Sequence, residues 1–174
     1  LQELSPWKRT AFDALVSANE RLTQSSPHHR LSSTLLKPIH DAFGGQLKLM
    51  FCGGAFVPRE TAEFFYRLGI PVVVGYGLTE ACTVATVNRL TPWRGDSVGT
   101  AVPGVEVHIH NADDHGVGEV WLRGPTLMSG YVDNPSLTAQ VLQDGWLKTG
   151  DLGRMDASWH LHLVGRTRNM IVTP

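Results

Sequence analysis

Apolar and polar positions along this chain keep one rhythm as far as residue 90 and another beyond it. From residue 7 to 23, in WKRTAFDALVSANERLT, Phe12, Leu15, Val16 and Leu22 fall at helical spacing. After the polar break TQSSPHH, a second helix is expected from about Ser33 to Phe43, limited or kinked by Pro38 and stopped by Gly44 and Gly45. LKLMFC at 47–52 is a short, continuously apolar run that reads as a strand. PRETAEFFYRLG then offers Pro58 for a first helical turn, acidic residues near the start and Gly69 at the stop, and IPVVVG follows as the next strand. Strand, helix and strand in close succession make a compact βαβ unit, for which a parallel sheet is the economical reading.

Past Pro92 glycine and proline recur every few residues. The apolar segments shorten to VEVHIH, GEVWLRG, GWLKTGD and LHLVGR, the pattern of an antiparallel barrel or sandwich. One helix, NPSLTAQVLQ at 134–143, interrupts it. The expected fold class is therefore α/β plus β, with a seam between Asn88 and Asp96 that divides the chain into residues 1–92 and 93–174.

Composition narrows the function classes without naming one. The chain has 174 residues, 42% of them apolar and 18% charged, enough to bury a core and ordinary for a globular protein. Fifteen basic residues against 16 acidic ones leave no charge excess to make nucleic acid or an anionic membrane the default partner. A polyanionic ligand needs a local site. The N-terminal LQELSPWKRTAFD lacks the basic-then-apolar order of a signal peptide, so a cytoplasmic location is the expectation. Cys52 and Cys82, each among small or apolar residues, read as buried free thiols.

Three constellations could carry chemistry. Gly53-Gly54-Ala55 follows one strand, and Gly75-Tyr76-Gly77-Leu78-Thr79-Glu80 follows the next, which is where open α/β sheets bind ligands. There Tyr76 offers a stacking face, Thr79 a donor to a phosphate oxygen and Glu80 a ligand for a hard cation such as Mg²⁺; the plainer account is tight turns and a helix start. In DGWLKTGDLGRMD and GRTRNMIV, Asp151 on a turn suits two vicinal hydroxyls, as on a ribose, and Arg166 suits phosphate or ribose oxygens. Here turn caps and a solvated face explain the same residues. His108 with His110 and His160 with His162 alternate on expected strands and could converge on a metal, although the exposed side of half-buried strands is the simpler reading. No G-x-x-x-x-G-K-[ST] loop, G-x-S-x-G elbow or H-E-x-x-H helix occurs.

From about Gly44 to Pro174 the chain resembles the adenylate-forming enzymes: acyl-CoA synthetases, luciferases and peptide-synthetase adenylation domains. GGQLKLMFCGGAFV, GYGLTEA, SVGTAVPGVEVHI, GEVWLRGPTLMSGYVDNPSLT, DGWLKTGDLG and GRTRNMIVTP stand in the family's order and spacing. FGGQLKLMFCGGA, GYVDNP and GRTRNMIVTP most resemble the long-chain fatty acid–CoA ligases. The resemblance implies the end of a parallel α/β layer followed by a small distorted antiparallel barrel. It implies ATP, Mg²⁺ and CoA as reaction partners of a fatty acid, with peripheral membrane association of the parent left open. It also implies that Gly53, Gly54 and Ala55 line the adenine and acyl pocket, that Gly75, Tyr76 and Gly77 belong to the nucleotide site with Tyr76 stacked on adenine, and that Thr79 touches phosphate. Glu80 would bind Mg²⁺, Asp151 the ribose, Arg166 ribose and phosphate, and Arg168 would stand at the hinge, usually Lys or Asp. Family members carry a phosphate loop before this region and a lysine-bearing lid after it, so the chain is expected to be an inactive central segment that self-associates through exposed edges. The alternatives are a carrier-protein ligase, a CoA ligase for another carboxylic acid, and a non-catalytic nucleotide-binding or interaction module.

Overall fold

The structure, a computed structural model, describes residues 5–24 and 26–167. These residues fall into two units that interleave along the chain. The first holds the described residues up to Cys52 together with Phe56–Val73 and Arg89–Gly95; the second holds Gly53–Ala55, Val74–Asn88 and the chain from Asp96. Residues 89–95, inside the expected seam, thus belong to the first unit while both their flanks belong to the second.

The first unit is mainly helical. It comprises α1 (Pro6–Thr23), α2 (His29–Leu35), α3 (Lys37–Ala42) and α4 (Arg59–Arg67), with the three-residue strand β1 (Met50–Cys52) between α3 and α4. The helix expected from Ser33 to Phe43 is two short helices. Leu36 breaks the run at φ −113° and ψ 36°, and Pro38 then sits in the first turn of α3, where its missing N–H costs nothing. Val16, Leu36 and Leu68 form the buried core, with Phe12, Ile39 and Phe65 against it. Polar groups beneath the helices are tied to carbonyls: Asn19 Nδ2 donates to Arg67 at 3.1 Å and His40 Nε2 to Leu68 at 3.0 Å. Met50 N–H donates to the Pro71 carbonyl at 3.0 Å.

The chain passes from the first unit to the second inside β2 (Val72–Tyr76), every residue of which is buried, as its unbroken apolar run foretells. In the second unit the end of β2 pairs antiparallel with β3 (Thr86–Val87), Gly75 opposite Val87 and Tyr76 opposite Thr86, and β3 pairs antiparallel with β4 (Thr100–Ala101). These two-residue strands are too short to show as a pattern in the sequence.

A five-stranded antiparallel sheet makes up the rest of the second unit: β5 (Glu106–His110), β6 (Gly118–Arg123), β7 (Leu142–Gln143), β8 (Trp146–Met155) and β9 (Leu161–Arg166). The order is β5-β6-β8-β7, with β9 also on β8, and α5 (Pro135–Val141) precedes β7. β6 shows the half-buried alternation of its sequence, Gly118, Val120 and Leu122 inward and Glu119 and Trp121 outward. Register shifts between Glu119 and Trp121 and between Leu152 and Gly153 curl the sheet. Its inner side chains Val120, Leu122, Leu147 and Leu161 are almost wholly buried with Tyr76, Ala81 and Ala85, each large one contributing about 1.5–3 kcal/mol. The expected α/β portion and small antiparallel β portion are both present. Among the described residues no helix is long and apolar enough to cross a membrane.

Candidate functional site

The second unit contains every sequence-predicted site residue that the structure describes; Arg168 lies outside the described residues. The glycine turn Gly53-Gly54-Ala55 is exposed, with Gly54 at φ 77°. The other positions form two hydrogen-bonded groups.

The first group is built on β2, β8 and β9. Tyr76 ends β2 at 7% exposure, and its hydroxyl donates to Asp151 Oδ2 at 2.7 Å. Burial pushes the Tyr76 hydroxyl well above the usual phenol range. The Asp151 charge adds to that, and Thr149 opposes it, so the group is a protonated donor. Asp151, itself 5% exposed, accepts at Oδ1 from Arg166 Nε, also at 2.7 Å. Its position is fixed from behind: its N–H donates to Thr149 Oγ1 at 3.1 Å, and that hydroxyl donates to the Val120 carbonyl at 2.6 Å. Asp151 lies within β8, where the sequence reading has it on a turn; the strand runs through Gly150, whose φ of 72° disguises its continuity. Arg166 keeps 66% of its side chain exposed. Where the sequence reading gives Tyr76 a stacking face for adenine, the ring lies in the core and its polar end holds Asp151.

The second group is built on the turn after β2. Thr79–Ala81 is one 3-10 turn, with Thr79 exposed and Glu80 half-buried. Glu80 Oε1 accepts from the Tyr131 hydroxyl at 2.8 Å, and its backbone carbonyl accepts from Met128 N–H at 2.8 Å. That bond to Glu80 is the main reason the Tyr131 hydroxyl titrates above its ordinary range, with burial second. The turn closes through left-handed Cys82 (φ 51°) and Thr83 (φ 74°), which bring the Thr83 carbonyl onto Gly77. A side chain at 77 would overlap that carbonyl, so the second glycine of GYG is required by the turn itself. Sequence reasoning missed Tyr131. Its signal, GYVDNP, marks the family resemblance but carries no assigned role there.

Other expectations are corrected. Cys82 is exposed and Cys52 half-buried, because the left-handed cap turns Cys82 outward. His160 and His162 are buried, where an exposed strand face was the simpler expectation. They surround Asp156: His162 Nε2 lies 3.2 Å from Oδ2 and His160 Nδ1 3.7 Å from Oδ1, while His162 Nδ1 bonds the Asp96 carbonyl at 2.8 Å. His110 instead stacks on Trp121 with centroids 3.8 Å apart. The four imidazoles do not converge, and no group of three or more His, Cys, Asp and Glu among the described residues could hold a metal.

A Mg²⁺ ion held with nucleotide phosphates needs less than that, one or two carboxylates with the phosphates completing its oxygen shell. Glu80 fits: one oxygen takes Tyr131, and the other accepts no hydrogen bond among the described residues. Asp151 does not, since the Arg166 cation on Oδ1 would repel a second positive charge, although each oxygen keeps a lone pair for a neutral hydroxyl donor.

The family model of AMP-binding enzymes matches residues 7–132, and the chain belongs to that family. Long-chain-fatty-acid–CoA ligase 1 of Saccharomyces cerevisiae is 34% identical over 150 residues, covering 82% of this chain and 21% of that protein. The 2-succinylbenzoate–CoA ligase of Lactococcus lactis is 37% identical over 147 residues, covering 82% of this chain and 31% of the ligase. The O-succinylbenzoate coenzyme A synthetase of Bacillus subtilis, solved in complex with ATP and a magnesium ion, matches with a TM-score of 0.63 at 26% identity, over 80% of this chain and 31% of that one. The chain thus spans a fifth to a third of the length of these relatives.

Proposed function

We propose that this chain carries the nucleotide-handling segment of an ATP-dependent, AMP-forming acid–CoA ligase whose acid is a long-chain fatty acid. One observation carries the reading: a buried carboxylate, Asp151, is held by Tyr76 and presented beside the largely exposed Arg166. A fixed carboxylate beside a planar cation suits the adjoining hydroxyls and phosphate of a nucleotide.

In that reaction an acid's carboxylate oxygen attacks the α-phosphorus of ATP and pyrophosphate leaves; the CoA thiol then attacks the acyl carbon and AMP leaves. The residues of this chain contribute positioning and charge. Asp151 accepts from the ribose hydroxyls, and Arg166 bridges toward the phosphate. Tyr76 serves by fixing Asp151 beside the adenine position flanked by Gly75 and Gly77. Gly53, Gly54 and Ala55 leave open backbone for the ring and the acyl group, Thr79 donates to phosphate oxygen, and Glu80 holds Mg²⁺. Bound there, the cation would neutralise charge on the phosphate oxygens. Arg168, outside the described residues, matches the hinge position by sequence alone. The yeast relative supports a long fatty chain, whereas the lactococcal one handles a different acid.

Equilibrium dialysis with labelled ATP tests the site. Asp151→Asn is expected to weaken binding about tenfold, the loss of charge-assisted hydrogen bonds. Unchanged ATP affinity in that variant would sink the reading. For the acid, product analysis of the complete open reading frame with CoA and a panel of acids should return long-chain acyl-CoA; an aromatic thioester alone would replace that part of the proposal.

A further inference from the structure

We infer that Tyr131 is the positioning residue for Glu80, and that GYVDNPSLT is the bracket that aims it. This rests on the reading of Glu80 as the Mg²⁺ ligand. Glu80 sits on a single turn, with its neighbour Thr79 exposed, so its carboxylate needs an outside hold. Two contacts supply it, one from the residues just before the motif and one from within it: Met128 N–H fixes the Glu80 backbone, and the Tyr131 hydroxyl fixes Oε1, each at 2.8 Å.

The segment is itself pinned. Thr138 Oγ1 accepts from Tyr131 N–H at 2.9 Å and donates to the Asn134 carbonyl at 2.9 Å. Asn134 Oδ1 caps α5 by accepting from Leu137 N–H at 3.0 Å, and Pro135 takes the first helical turn. Gly130 lies at φ 152°, with the Thr138 methyl and hydroxyl where a Cβ would go. Glycine, tyrosine, asparagine, proline and threonine in this motif thus each have a part in one bracket, and its output is a phenol directed at Glu80.

The chemistry favours a phenol in this place. A neutral donor orients the carboxylate without cancelling its charge, as Arg or Lys would, and it leaves Oε2 for a hard cation. Outer partners of ligating groups change metal affinity by about 10- to 100-fold. Tyr131 is therefore expected to act on the metal and not on the nucleotide alone.

The test is Mn²⁺ binding by the whole 174-residue chain in the presence of ATP, read from the electron paramagnetic resonance of free Mn²⁺. Metal-free ATP binding and thermal unfolding are measured in parallel. Tyr131→Phe should weaken Mn²⁺ about tenfold with metal-free ATP binding unchanged and melting lowered only slightly, as the loss of one part-buried hydrogen bond requires. Thr138→Val should weaken it less, in the same direction, and Tyr131→Phe should add nothing to Glu80→Gln. Full Mn²⁺ affinity in Tyr131→Phe while Glu80→Gln loses it overturns the inference and leaves the Glu80 reading standing. So does an equal loss of metal-free ATP binding, which marks a merely structural role. Full affinity in Glu80→Gln, or no Mn²⁺ binding by the unaltered chain, overturns both.

Discussion

The Tyr76 hydroxyl closes Oδ2 of the buried Asp151 carboxylate at 2.7 Å, while the other oxygen is closed by an arginine that stays mostly in water. The two partners of one carboxylate therefore differ in energetic weight. Tyr76→Phe leaves a buried charged acceptor short of a donor and should cost about 1–3 kcal/mol in urea unfolding. Arg166→Ala removes a largely solvated ion pair and should cost about 0–1 kcal/mol. Equal losses would mean that Asp151 is not buried as described.

Gly77→Ala drives a methyl group into the Thr83 carbonyl, and neither strand end nor turn can yield without the other. A loss of about 1–3 kcal/mol is expected, seen as a lower melting temperature. Gly165→Ala is the contrast within the GR motif. Nothing stands within 4 Å of a Cβ there, and stability should hold or rise slightly.

Asp156 accepts backbone N–H bonds from Ser158 and His160 at 2.9 Å each, as well as facing His162. The His160 N–H is the main reason its carboxyl titrates below the ordinary 3.8. A carboxyl depressed in the folded state adds stability above its unfolded pKa and loses it as pH falls through the folded one. Unfolding free energy of the unaltered chain should therefore drop more steeply below about pH 4 than that of Asp156→Asn. Identical acid limbs would rule out these bonds.

Cys82, on the outward side of its left-handed cap, should react with a maleimide under native conditions faster than the half-buried Cys52. Mass mapping of the first modified thiol checks this. Preferential labelling of Cys52 would contradict the cap geometry.

The features legible in the sequence were those that repeat. Helices α1 and α4 follow from spacing with proline and glycine punctuation, β2 from its unbroken valines, and β6 from alternation. What escaped was set by contacts between distant residues. β3 and β4 exist because Tyr76 and Gly75 need partners, and nothing local marks Thr86 or Thr100 as strand. The burial of His162 depends on Asp96, 66 residues away, and that of Asp151 on a ten-residue strand broken in appearance by Gly150. Glu80, Asp151 and Arg166 could be picked by residue type and motif. The hydroxyls that hold two of them, Tyr131 and Tyr76, could not be paired with them from composition or period.

The Tyr76–Asp151 bond spans 75 residues of chain, and the Glu80–Tyr131 bond spans 51. At synthesis rates of about 5–20 residues per second, Asp151 is made roughly 4–15 s after Tyr76. Through that interval the core around Tyr76 is incomplete, since β6 is made only part-way through it, β8 begins near its end and β9 follows Asp151. The two hydrogen-bonded groups are thus a late product of translation, and the nascent chain passes through a period in which the Tyr76 ring, without its completed core, is open to chaperones.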